Sequence, residues 1–145
     1  MANFFIQARA VRPNSILSIN EYGIINADSD SAAIEYRDLV NELLALDAPI
    51  DKIGIQAHMS RNDISKADII RRINILAETG LSIEITEFDT RDDANQISPE
   101  QQKIIFQDML EAAFESTAVD GFIVWDFGTR GIGVAMDLFS TRTGT

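Results

Sequence analysis

Cysteine is absent from this 145-residue sequence, and histidine and tryptophan occur once each. Without thiols, neither disulfides nor thiolate metal sites can form, and the redox compartment leaves no trace in the sequence. Basic residues are scarce: 12 Lys and Arg face 23 Asp and Glu, for a net charge of −11. That balance disfavours nucleic acid and anionic membrane surfaces, which need a basic footprint, and suits a neutral or cationic partner. Long hydrophobic runs are missing too. Residues 1–20 hold no apolar stretch long enough for a signal or spanning segment, and no low-complexity linker divides the chain. With 46% hydrophobic and 24% charged residues, residues 1–145 read as one globular domain with a real core.

Short apolar runs alternate with segments of helical period. The candidate strands are SILSINEY (15–22), IDKIGIQAHM (50–59), LSIEITEFD (81–89) and GFIVWDF (121–127). Between them, Leu39, Val40, Leu43 and Leu44 form one helical stripe, and Ile69, Ile70, Ile73 and Ala77 another. The helix ends are marked as well. Ser65 to Asp68 has the form of a capping box, and Ser98 to Gln101 supplies an N-cap, a first-turn proline and a reciprocal Gln. Gly80 closes a helix just before the third strand, and residues 2–11 read as a further helix stopped by Pro13. The order is that of an α/β protein with right-handed parallel crossovers.

In such folds chemistry gathers at the carboxyl ends of the strands. The first run ends in Asn20 and Tyr22, the second in Gln56 and His58, the third in Glu87 and Asp89, the fourth in Trp125. Strand parity puts each pair on one face, and it puts Ile83 and Ile85 on the face of Glu87 and Asp89, with Glu84 opposite, toward the helices. Taken singly, Glu87 reads as a solvated strand end, His58 as a structural group and Trp125 as core. Polar ends converging on one rim favour a cleft instead.

These same residues carry a resemblance. ITEFD is similar to the strand-seven signature of family 10 glycoside hydrolases, the retaining endo-1,4-β-xylanases. PIDKIGIQAHM resembles that family's strand six, LSINEYGI its strand five and GFIVWDF its strand eight. The resemblance implies a partial TIM (β/α)8 barrel, strands five to eight with their helices, and xylan or xylo-oligosaccharide as substrate. It implies Glu87 as nucleophile, with His58 and Asp89 holding it ionised and oriented. Asn20, Tyr22, Gln56 and Trp125 would contact substrate, Trp125 as an apolar wall. It implies no metal or other cofactor, and an extracellular enzyme. The family's acid/base lies on a W-x-V-x-N-E run ending strand four, and this sequence has no such run. The resemblance starts inside the helix after strand four and fades after Trp125. A (β/α)8 barrel takes about 250 residues, so this chain is expected to supply a carboxyl-terminal half that hydrolyses xylan poorly alone.

An open half-barrel would expose two sheet edges and, by the parity above, an apolar inner face of Ile83, Ile85 and Ile123, which predicts self-association. A non-catalytic half-barrel that binds sugar or self-associates is the alternative reading. Two other stretches carry less. GTRGIG (128–133) has the wrong spacing for a phosphate loop. NADSDS (26–31) lacks the glycine and distant Glu of a calcium loop and reads as the cap of the next helix.

Overall fold

The computed structural model describes residues 1–90 and 97–125. Four helices are present among them, α1 (Ala2–Val11), α2 (Ser31–Ala45), α3 (Lys66–Ala77) and α4 (Pro99–Glu115), interleaved with five strands. The strands are β1 (Ser18–Glu21), β2 (Lys52–Ile55), β3 (His58–Met59), β4 (Ser82–Thr90) and β5 (Val119–Val124). All pairings are parallel: β1 on β2, β2 on β4 and β5 on β4, with the short β3 on the upper end of β4. β2 and β3 are one interrupted strand, broken at Gln56 and Ala57. The expected fourth strand thus ends at Val124; Asp126, Phe127 and the glycine-rich 128–133 stretch lie outside the described residues. No helix among the described residues is long and apolar enough to cross a membrane.

The helix caps form as the sequence requires. Ser65 and Asp68 make a reciprocal capping box at α3, and Ser98 and Gln101 make another at α4 with Pro99 in its first turn. The bond from the Ser65 hydroxyl, with Arg71 alongside, holds the Asp68 carboxyl far below the usual carboxylate range. Gly80 takes φ +77° between α3 and β4, as a helix-ending glycine does. α2 buries Ala33, Tyr36, Val40 and Leu43, and α3 buries Ile69, Ile73 and Leu76. Leu39, Leu44, Ile70 and Ala77 of the expected stripes pack partly buried beside them. Asp30 does stand at the N-cap of α2, but its side chain makes no cap bond. It accepts instead from Arg71 (2.6 Å) and Arg72 (3.2 Å) of α3, and the Arg71 bond leads in lowering its pKa.

One expectation from parity is overturned. Ile83 and Ile85 are fully buried beneath the helices, and Phe88 joins them, its ring 5.1 Å from Phe106 of α4. Glu84 lies on the opposite, open face, where a Cβ added to Gly121 would come within 2.7 Å of its carboxylate. Ile83 and Ile85 therefore share no face with Glu87. The reason is a bulge. Between Ile85 and Phe88 of β4 there are three residue steps, but only two between their β5 partners Phe122 and Val124. On the other side, Ile55 to His58 takes three steps against four from Ile85 to Asp89. The extra residue puts Thr86 and Glu87 on the same side in succession. The open face is consequently polar. Of the three residues expected to make it apolar, only Ile123 is exposed, at 47%.

That open face carries a row that reads across four strands. The register aligns Asn20, Gly54, Glu84 and Gly121. A polar side chain thus alternates with a glycine, and a Cβ at Gly54 would lie 2.6 Å from Asn20 Oδ1. Filling a layer from alternate strands in this way is the packing expected of a barrel interior. Gly54→Ala is expected to cost about 1–3 kcal/mol through overpacking, read as a lower midpoint in urea unfolding. It also pushes Asn20 away from its neighbours. An unchanged midpoint with Asn20 undisplaced would show that the layer has slack.

Candidate active site

Four side chains meet at the carboxyl end of the sheet. Asn20 comes from β1, His58 from β3, and Glu87 and Asp89 from β4. The Glu87 carboxylate is gripped at both oxygens: Asn20 Nδ2 donates to Oε1 at 3.4 Å, and His58 Nε2 lies 3.3 Å from Oε2. On its far side His58 meets Asp89, Nδ1 to Oδ1, at 2.8 Å. The three ionisable side chains retain between 11% and 21% of their exposure, so they are sheltered yet reachable. Both imidazole nitrogens face carboxylate oxygens, and only a doubly protonated ring donates to both at once. The contacts to Glu87 are long for charge-assisted bonds, which leaves its oxygens with lone pairs to spare.

Each element aims its residue for a local reason. The bulge in β4 brings Thr86 round to the same side, where its hydroxyl donates to Asn20 Oδ1 at 3.0 Å. That bond fixes the amide so that its NH2 faces Glu87. His58 follows Ala57, a buried residue held in the left-handed region at φ +60°. Such a conformation costs on the order of 1–3 kcal/mol outside glycine, and strain of this kind collects at functional sites. It turns the chain so that β3 can join β4 with His58 opposite Asp89.

The remaining expected site residues are less tightly drawn in. Trp125 hangs from Phe88, its backbone N–H donating to the Phe88 carbonyl at 2.9 Å. Its ring stands edge-on to His58 with centroids 6.5 Å apart, and 58% of the residue is exposed. Gln56 is half-buried at the break after β2, where its backbone N–H donates to the Glu21 carbonyl at 3.1 Å; its side chain makes no hydrogen bond among the described residues. Tyr22 lies past the end of β1, 72% exposed. Among the described residues no cluster of His, Asp and Glu could hold a metal ion.

Sequence reading missed Thr86, whose alternation parity points it away from Glu87 until the bulge is known. It also missed Arg72, buried at 3% exposure, which donates to the Ile25 carbonyl behind the site. A cation inside the apolar stripe of α3, between Ile69 and Ile73, was the available signal.

The sequence model described as glycosyl hydrolase family 10 matches residues 1–130. The chain belongs to that family. It is 31% identical over 122 residues to endo-1,4-beta-xylanase C of Phanerodontia chrysosporium, covering 83% of this chain and 30% of that enzyme. The solved structure of a family 10 protein from Paenibacillus barcinonensis is 27% identical with a TM-score of 0.75, covering 97% of this chain and 42% of that one. A mutant intracellular xylanase from Thermoanaerobacterium saccharolyticum, solved with xylotriose, is 26% identical with a TM-score of 0.73, covering 86% of this chain and 38% of that one. The chain thus spans less than half the length of each of these relatives. Its parallel sheet and helices are part of the TIM barrel of family 10.

Proposed function

We propose that this chain supplies the nucleophile half of a retaining xylan hydrolase. The observation that carries the reading is the Glu87 carboxylate held between Asn20 and His58, with Asp89 behind the ring. A Glu87 oxygen attacks the anomeric carbon as the bond to the leaving oxygen breaks, and the leaving oxygen takes a proton from a general acid. Water then enters at the same carbon, that same acid now acting as base, and Glu87 is released. Asn20 and His58 hold the anion beside an oxocarbenium-like transition state, where a preorganised charge has its greatest effect. Gln56 and Tyr22 contact the sugar, and Trp125 offers it an apolar wall.

The second carboxyl group must stand about 5–5.5 Å from the first in a retaining enzyme. Asp89, the nearest candidate on the strand, is engaged by His58. The acid/base therefore comes from an amino-terminal half that also covers the open polar face, and the isolated chain hydrolyses xylan poorly.

Incubation with a 2-fluoro xyloside bearing a good leaving group tests this, alone and with an amino-terminal half from a family 10 relative. The expected result is a single adduct mapped by mass spectrometry to Glu87 and absent from Glu87→Gln. An adduct elsewhere, or none in the completed barrel, overturns the assignment.

A second reading is favoured by a different observation. Exposed apolar side chains sit beside the terminal strands of the sheet, Ile16 just before β1 and Phe114 near β5, at 68% and 76% exposure. Edges of that kind pair with another chain, so a self-associating, sugar-binding half-barrel is the alternative. Sedimentation separates the two: a monomer that dimerises only with an amino-terminal half favours the enzyme.

A further inference from the structure

Strand β3 is two residues long and follows a strained Ala57, yet it must aim the imidazole between two carboxylates. Its pairing with β4 secures one edge, through His58 opposite Asp89 and Met59 opposite Thr90. The other edge has no strand neighbour among the described residues. β1 ends at Glu21, whose carbonyl accepts the last bond from the Gln56 N–H, and the chain then turns away through Gly23 at φ +71°. Where a strand neighbour ends, the backbone groups along that edge are paired by other means.

The loop that follows Gly23 returns to fill the gap with a side chain. Asn26 Oδ1 accepts from the Ser60 backbone N–H at 3.3 Å, and Asn26 Nδ2 donates to Ser60 Oγ at 2.9 Å. A carboxamide carries the same donor and acceptor as a peptide group, so it can stand in for an adjacent strand. Ser60 directly follows β3 and lies two residues beyond His58. Asn26 is itself held from behind. Ile25 is fully buried, and its carbonyl accepts from the buried Arg72 guanidinium, which also bonds Asp30. A further clasp joins Asp28 to Arg61 on the same pair of loops.

We propose that Asn26 is a positioning residue for His58, acting through Ser60 as the missing strand neighbour of β3. The proposal rests on the reading of Glu87, His58 and Asp89 as the reacting group. Without the carboxamide, the backbone just after β3 loses two hydrogen bonds, and the placement of the ring between Glu87 and Asp89 loosens. Arg72 supports this at one remove, because it fixes the loop backbone from which Asn26 projects.

The full chain allows a direct test, because His58 is its only histidine. The two ring nitrogens of 15N-labelled protein report tautomer and hydrogen bonding without ambiguity, and they do so whether or not the chain acts on xylan. A failure of the 2-fluoro xyloside labelling and a failure here are therefore separate outcomes. Asn26→Ala is expected to shift both ring resonances toward those of solvent-exposed histidine, with an unchanged far-UV circular dichroism spectrum. Asn26→Asp, which still accepts from the Ser60 N–H and can take the Ser60 hydroxyl proton, keeps them near their original positions. Arg61→Ala, which opens only the neighbouring clasps, leaves them unmoved. Resonances that stay put in Asn26→Ala overturn the proposal, as do equal shifts in Asn26→Ala and Arg61→Ala, which would mean general loosening of the loops. Should Asn26→Ala fail to fold, Ser60→Ala decides: it removes one of the two bonds, and it must move the resonances in the same direction by a smaller amount.

Discussion

Glu87→Gln in a barrel completed by an amino-terminal half is expected to lower xylan turnover by about 10⁴- to 10⁶-fold, the scale on which a member of a covalent catalytic unit acts. The substitution keeps the size of the side chain and removes the anion. Gln can still turn its oxygen toward Asn20 Nδ2 and its amide NH2 toward His58 Nε2, both of which approach Glu87 within 3.4 Å. The site keeps its shape and loses its nucleophile, so the loss falls mainly on kcat, with KM little changed. Glu87→Ala distinguishes a nucleophile from a mere electrostatic neighbour. It leaves room for azide, which would attack the anomeric carbon from the vacated side and yield the glycosyl azide of inverted configuration. Rescue of that kind supports Glu87 as nucleophile. Turnover of Glu87→Ala equal to that of the parent would sink the assignment.

Much of this arrangement was legible in residue order alone. Capping boxes at Ser65 and Ser98 are local patterns whose partners sit three residues away, and both form here undisturbed by tertiary contacts. The meeting of Asn20, His58, Glu87 and Asp89 was legible because all four stand at strand ends, and parallel crossovers bring those ends to one rim. What failed was counting across an irregularity. Parity assigns faces only while the strand stays regular. One extra residue at Thr86 and Glu87 reverses it, so the apolar pair Ile83 and Ile85 faces the helices while Glu87 faces the cleft. The same error put Glu84 against the helices and predicted an apolar inner face. Asp30 misled for a different reason: its position next to α2 fits a cap, but Arg71 and Arg72 of α3 compete for the carboxylate with full charges. A local propensity yields there to a tertiary ion pair that residue spacing does not reveal.

The polar open face bears on how the isolated chain should behave. Lys52 on that face bonds Asp120 at 2.8 Å, and that bond raises its pKa, with the Glu84 charge a lesser contribution. A face of this kind is hydrated rather than driven to collapse on a second copy, so the chain should be soluble enough to assay alone. Without an acid/base, its rate is expected to depend on how much protonation the leaving group requires. General acid assistance is typically worth about 10²- to 10⁴-fold. Xylan, whose leaving oxygen is a sugar hydroxyl, needs that help in full; a dinitrophenyl xyloside needs almost none. Adding the amino-terminal half should therefore raise xylan hydrolysis by at least about 10²-fold while raising dinitrophenyl xyloside cleavage far less. The plot of rate against leaving-group pKa, steep for the isolated chain, should flatten in the completed barrel. A plot equally flat in both, with vigorous xylan hydrolysis by the 145 residues alone, would mean that a carboxyl group within this chain already serves as the acid. Asp89 would then be the first residue to replace, because among the described residues it is the carboxylate that joins Glu87 through His58.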